Sequence, residues 1–562
     1  MQRFFKFLNK EVNGLHQAAF FLATASVGAK LLAILRDRLL ASSFGAGKDL
    51  DIYYASFRLP DMLYVFSLFL VSVTALIPVF LEKRGISEKQ SKDFINGVFT
   101  TFFAVMVILM IGAYFAVPYL TNIIAPGFLG EDINSLVTLS RILLFSPFLL
   151  GLSNLVAGVI QSFRRFFVYA LSGVLYNVGI IFGLLFLFPK FGMVGVVWGV
   201  VVGAVMHLLI QVPSLIHLGY FPSFNKSFFE KKLRMEIIRI IKLSFPRTLG
   251  LTLNQLVLTA ITAFASFLAV GSISVFNLAS NLQAIPLGII ALSYSTAAFP
   301  SLASNFIKKE KDKFLSVVIY SFRHILFWLL PISVLFIVLR AQIVRVVLGA
   351  GAFTWTDTRL TAAALGLFAM SLFSQGLVLL LVRAFYAAGK TKLPLIINTI
   401  SSSVIIFLSL VFLFLFKNLE GLQVFFRELL RVENVSGVSV LALPLAFSIG
   451  SVLNFLLLYV YFGREFSSIS KYVKTGVFQM ILTSIVAGLV AYFASMFLSC
   501  IFNLDTFLGI FGQGFLAGVL ALVFGFYFLR FLKNKELEEL VSSLTRKFSK
   551  SHVIKTEPEE IP

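Results

Sequence analysis

Hydrophobic residues along this chain fall in long blocks and do not alternate with polar ones. The runs Gln17 to Leu40, Val98 to Leu120 and Phe507 to Phe531 are each long enough to cross a hydrocarbon core, since a helix rising about 1.5 Å per residue needs roughly 20 residues for that. The same pattern places spans near 17–40, 53–81, 95–120, 135–160, 166–188, 192–219, 236–269, 274–306, 315–339, 358–386, 393–416, 437–462, 475–502 and 507–531, numbered 1 to 14 below. Barrel strands would be about 10 residues long with strict alternation. The expected fold is therefore an all-α polytopic membrane protein with about 14 transmembrane helices.

Composition agrees: 59% of the 562 residues are hydrophobic and 13% charged, where soluble proteins carry about a quarter charged residues. Lysine and arginine gather in alternate connections, such as Lys83, Arg84, Lys89 and Lys92, then Lys308, Lys309, Lys311 and Lys313. The positive-inside rule puts these connections and both termini in the cytoplasm of a bacterial inner membrane. The net charge of +21 thus reflects attraction to anionic lipid headgroups, and no nucleic-acid partner is expected. The polar start followed by a long first span reads as a retained helix, not a cleaved signal. Lone Cys500 forms no disulfide framework and reads as a small buried apolar residue. The five histidines show no ligand spacing, so no metal, cofactor or catalytic residue is expected. From Lys533 to Lys550 the spacing is that of an amphipathic helix, lying on the membrane or in solvent. Thr556 to Pro562 reads as disordered.

The chain repeats itself. Ala41-Ser42 recurs as Ala265-Ser266, Ala55-Ser56 with Pro60 as Ala279-Ser280 with Pro286, and Pro78-Val79-Phe80 as Pro300-Ser301-Leu302, at offsets near 222–226. An even number of spans per copy makes the repeat parallel. The expected domains are an N-lobe (1–220, spans 1–6), a C-lobe (221–465, spans 7–12), a helix pair (466–533) and a cytoplasmic tail (534–562). Transporters built from repeats bind substrate between the halves, near the midplane; a static product of duplication is the competing reading.

Charges inside spans are expensive and normally face protein or a water-filled cavity. Span 1 holds Lys30, Arg36, Asp37 and Arg38, with Lys30 and Asp37 on one helix face. Span 2 opens with Arg58-Leu59-Pro60-Asp61, and span 7 carries Arg239, Lys242 and Arg247. A cavity lined mostly by cations suits an anionic substrate, most naturally a phosphate. Snorkelling at the interface is the alternative for the Arg36 to Arg38 group.

At these residues the chain resembles the MurJ/MviN lipid II flippases of the multidrug/oligosaccharidyl-lipid/polysaccharide exporter superfamily. The similar stretches include Leu35-Arg36-Asp37, Phe44-Gly45-Ala46-Gly47 to Asp51, Phe57-Arg58-Leu59-Pro60, Ala125-Pro126-Gly127-Phe128, Pro246-Arg247-Thr248-Leu249-Gly250 and Arg383 to Pro394. The resemblance implies substrate-binding roles for Lys30, Arg36 and Asp37. The family's span-2 arginine, after its Leu-Pro-Asn-Leu-Leu stretch, falls on Tyr64, and its span-8 arginine falls on Asn281. Asn281 is kept as a site residue, with Arg58 and Arg247 as candidate compensating cations.

The function so implied is a lipid flippase that carries a polyprenyl-diphosphate-linked peptidoglycan precursor to the outer leaflet by alternating access. Its partners would be that lipid-linked anionic substrate, membrane lipids and cell-wall synthesis proteins. Two other readings stay open: a sister transporter for another lipid-linked glycan or a drug, and a transport-dead membrane scaffold. An enzyme is not expected. Ala388-Gly389-Lys390-Thr391 lacks the earlier glycine of a P-loop, having Ala384 there, and leads into a span.

Overall fold

A computed structural model of the chain describes residues 15–163, 165–224, 231–466 and 469–549. The expected disorder of Thr556 to Pro562 lies outside the described residues. Within them the chain is helical, with no strand. Twelve helices are long and apolar enough to cross a membrane, from Lys48–Ile86 to Phe507–Phe531. A bent pair, Trp355–Ala369 and Leu372–Ala387 at 46°, occupies span 10. Leu15–Phe44, 30 residues long, occupies span 1, so each of the fourteen apolar blocks corresponds to a helix or helix pair.

Several spans are interrupted where the sequence weakens the helical hydrogen-bond ladder. Pro286 is followed by a π-helical turn, Leu287–Ala291, as expected where a ring removes a donor and crowds the preceding turn. Span 2 breaks at Ser72, whose extended backbone separates Arg58–Val71 from Val73–Ile86. Spans 5 and 6 cross at glycines spaced four apart. Gly179 faces Gly203 and Gly183 faces Gly199 so closely that neither could carry a Cβ. Such small-residue faces let backbones approach where lipid supplies no hydrophobic drive between helices.

The helices form two compact units that interleave along the chain: Met1–Ile285 with Val344–Phe368 and Lys390–Asn454, and Pro286–Ile343 with Ala369–Gly389 and Phe455–Pro562. The first contains a core around Leu76, Phe80, Ile95, Phe102 and Ile160. It also pairs two charges at the start of span 7 with residues just after span 2: Glu236 with Lys83 at 2.6 Å and Arg239 with Glu82 at 2.8 Å. In the second unit Leu335, Ala487, Ala491, Ala517 and Ala521 pack spans 9, 13 and 14 together. The tail helix, Lys535–Ser549, begins against this unit. Glu536 is buried and ion-paired with Arg323, and the Asn534 side chain caps the Leu537 amide at 3.1 Å and donates to Gln479 at 2.9 Å. Its first turn therefore rests on protein, a third arrangement beside the two expected of it. Cys500, expected to be buried, is exposed, because the helix Ser470–Leu498 ends before it.

The first unit is clasped at the end that the charge pattern assigns to the outside. Asp51 is buried and caps the helix Ser272–Pro286: its carboxylate accepts from the Gly271 and Ser274 amides at 2.7 Å each and from the Ser274 hydroxyl at 2.6 Å. Gly271, at φ +90°, lies so close to the Ala46 carbonyl that a side chain would collide. Nearby, the Ala352 amide donates to the Ser42 carbonyl at 2.8 Å and the Gly127 amide to the Ser266 hydroxyl at 3.0 Å. Hydrogen bonds to a charged acceptor contribute roughly 1.5–3 kcal/mol each. Asp51→Ala is therefore expected to speed hydrogen exchange of the Gly271 and Ser274 amides by about tenfold or more; unchanged exchange in a folded variant would rule out the cap.

Candidate binding cavity

Span 1 places Lys30, Ala33, Ile34 and Asp37 at helix positions i, i+3, i+4 and i+7, a single stripe. With Arg36 they line a cavity of about 90 Å³, closed opposite by Asn281, Leu282, Ala284 and Ile285 of span 8 and by Val347. Four of the six residues singled out in sequence thus meet at one place: Lys30, Arg36, Asp37 and Asn281.

Their hydrogen bonds explain the arrangement. Adjacent residues on a helix do not face one another, yet the Arg36 side chain folds back so that Nε and Nη2 donate to Asp37 Oδ1 at 2.9 and 2.7 Å. Its Nη1 donates to Asn177 of span 5 at 3.2 Å. The other Asp37 oxygen accepts from Asn281 at 3.1 Å. Asp37, 6% exposed, is therefore shared between a cation on its own helix and an amide on span 8. Lys30 has no hydrogen bond or ion pair among the described residues, and it stands in electrostatic range of Arg36 and Asp37. It is the cation left free in this cavity.

The other candidates lie elsewhere. Arg58 does not line the cavity: buried at 5% exposure, it donates to Thr262 at 2.8 Å and Asn277 at 2.7 Å, joining span 2 to spans 7 and 8. The Arg247 side chain lies outside the described residues. Arg38 donates to the Val346 and Val347 carbonyls at 2.5 and 3.2 Å, near the end of the helix Arg340–Leu348, where a cation opposes the negative pole of the helix dipole. Among residues the sequence reading left out, Asn177 hydrogen-bonds to the cluster through Arg36; nothing in its spacing distinguishes it from other polar residues of span 5.

Comparison with known proteins bears on the family and the fold. The family described as lipid II flippase MurJ matches residues 40–512. A probable lipid II flippase MurJ of Buchnera aphidicola subsp. Acyrthosiphon pisum is 32% identical over 376 residues, 65% of this chain and 72% of its own length. Another, from Buchnera aphidicola subsp. Schizaphis graminum, is 29% identical over 441 residues, covering 76% and 80%. The structure of a lipid II flippase MurJ in an inward closed conformation is similar with a TM-score of 0.72 at 23% identity, over 91% of this chain and 99% of its own. An inward-facing multidrug resistance MATE family transporter gives 0.62 at 14% identity, over 80% and 99%. At these identities the two structures speak to fold alone.

A double-mutant cycle tests the Arg36–Asp37 pair. Arg36→Ala and Asp37→Ala should each lower the melting temperature, and the double variant by less than their sum, because partners in one network are not additive. A strictly additive double variant would dissolve the pair.

Proposed function

The chain belongs to the lipid II flippase MurJ family, and from that premise we propose that it carries a polyprenyl-diphosphate-linked peptidoglycan precursor from the inner to the outer leaflet of a bacterial inner membrane by alternating access. The observation that carries the reading is the unpaired Lys30 ammonium inside a span, beside a second cation whose charge is balanced by Asp37. A cation held that deep has an energetic cost that packing does not repay, and a diphosphate offers it several charge-assisted hydrogen bonds.

In this proposal Lys30 meets the diphosphate first. Arg36 is released to it when Asp37 turns fully to Asn281, so Asp37 and Asn281 act as positioning residues for Arg36. Arg58, committed to Thr262 and Asn277, braces span 2, and Arg247 is a further candidate cation. A cavity of about 90 Å³ admits a few waters and no glycan head group, so it must widen to load. The protein makes and breaks no covalent bond; it works between two six-span lobes (spans 1–6 and 7–12), with both termini cytoplasmic. Membrane lipids surround it, and cell-wall synthesis proteins are its expected partners.

Charge-assisted contacts contribute roughly 1.5–3 kcal/mol each. Lys30→Ala should therefore weaken binding of lipid II by about tenfold or more and fail to support growth of a flippase-depleted strain. Lys313→Ala, at an exposed connection, should do neither; normal transport by well-expressed Lys30→Ala would sink the anion-cavity mechanism. For orientation, alkaline phosphatase fused after Phe531 or within residues 308–310 should be inactive, as expected of a cytoplasmic reporter. Activity at either position would reverse the topology.

A further inference from the structure

Asp61 places a carboxylate inside a membrane span with no side-chain hydrogen bond or ion pair among the described residues. It lies about 20 Å along the helical segment that begins at Lys48, at about 1.5 Å per residue. Arg58, one turn earlier, hydrogen-bonds to Thr262 and Asn277 and stands in electrostatic range of the Asp61 carboxylate without pairing with it. A bare carboxylate at that depth is costly and by default marks a functional site.

Asp61 opens into a cavity of about 270 Å³ inside the first unit, three times the volume of the one beside Lys30. Its walls combine the aromatic side chains of Phe57, Tyr64, Tyr176 and His207 with aliphatic Pro60, Leu143, Pro147 and Leu150, and Ser146 lies beside them. Two of these are fixed from behind. Asn154 donates to the Tyr64 hydroxyl at 3.0 Å, and the His207 ring nitrogens meet Ser153 and Ser172 hydroxyls at 2.7 and 3.1 Å. Tyr176 stands in electrostatic range of both Arg36 and Asp61, so the chamber neighbours the cationic cluster. A metal ion would leave most of this space unfilled, and no group of three metal-ligating side chains converges among the described residues. A single carboxylate beside aromatic and aliphatic side chains is instead the chemistry that holds an organic ammonium, by charge-assisted hydrogen bonds and cation–π attraction.

We propose that this chamber is a subsite for a primary ammonium group, with Asp61 as its counter-charge and Tyr64, Tyr176 and Phe57 as its aromatic walls. The ligand is an amine on the head group of the transported lipid, a step that rests on the flippase reading. The site would then be bipolar: cations at Lys30 and Arg36 for the phosphates, and an anion at Asp61 for the amine.

The test uses the full-length protein in nanodiscs with a lysine-containing lipid II and the same lipid acetylated on the lysine ε-amine. The free amine should bind about tenfold or more tightly than its acetylated form. Asp61→Asn should erase that preference while still binding the acetylated lipid, and Asp61→Glu should keep much of it. Lys30→Ala should weaken both lipids alike, so the diphosphate grip and the amine subsite fail separately. An arm independent of the flippase reading compares octylamine with octanol: Asp61-dependent preference for the amine is expected even if neither lipid binds. Equal affinity of the wild-type protein for each amine and its neutral counterpart would overturn the subsite. So would an Asp61→Asn variant that keeps the preference, or one whose only change is in sodium or pH dependence.

Discussion

Ser274, Asn277 and Asn281 lie at positions i, i+3 and i+7 of span 8 and form one polar stripe. Each is held by a charged residue of span 1, span 2 or the helix Lys48–Ser56 between them: Ser274 by Asp51, Asn277 by Arg58 and Asn281 by Asp37. Three buried charges thereby meet neutral groups of span 8, Asp37 being shared with Arg36, and span 8 brings no charge of its own to that face. The position of span 8 against spans 1 and 2 follows from this stripe. So do the cap at Gly271 and the narrowness of the cavity beside Lys30.

Within that frame Lys30 and Asp61 are the exceptions, one cation and one anion that the stripe does not reach. Pairing the first would need an acid on the facing part of span 8, where Asn281, Leu282, Ala284 and Ile285 stand. Pairing the second would need Arg58 to leave Thr262 and Asn277. Neither makes a side-chain hydrogen bond or ion pair among the described residues, Asp61 having Arg58 only in electrostatic range, and both face cavities. Buried polar groups are ordinarily paired, so these two unpaired charges set the places where a ligand gains most by binding.

The spans could be read from sequence because apolar length is a one-dimensional property that membrane thickness converts directly into structure. The stripe Lys30, Ala33, Ile34 and Asp37 was legible for a similar reason, since helical periodicity alone puts its members on one face. Partner choice was not legible. Arg58 looks like Lys30 in sequence, a cation entering a span, yet its fate depends on Thr262 and Asn277, some 200 residues away in the chain. Cys500 misled because an apolar neighbourhood does not tell a helix interior from the turn after it. Asp61 stood in view within Arg58-Leu59-Pro60-Asp61, but its significance lies in the absence of a partner, which only three dimensions reveal. The paired glycines of spans 5 and 6 carry a four-residue spacing that sequence does offer, and their close approach is its consequence.

The stripe is not equally strong along its length. At the outer end Asp51 receives three short hydrogen bonds, from two amides and a hydroxyl, all at 2.6–2.7 Å. At the cavity Asp37 receives from span 8 one bond of 3.1 Å, and its other oxygen is already occupied by Arg36. An arginine at position 281, as the resemblance implies for the family, would contend with Arg36 for the same carboxylate and bind it as an ion pair. Asn281 gives a weaker, neutral hold. Across the cavity, span 8 is therefore tied to Asp37 by one hydrogen bond from a neutral donor, whereas three tie it to Asp51 at the far end. That gradient makes the contact beside Lys30 the weaker end of the stripe.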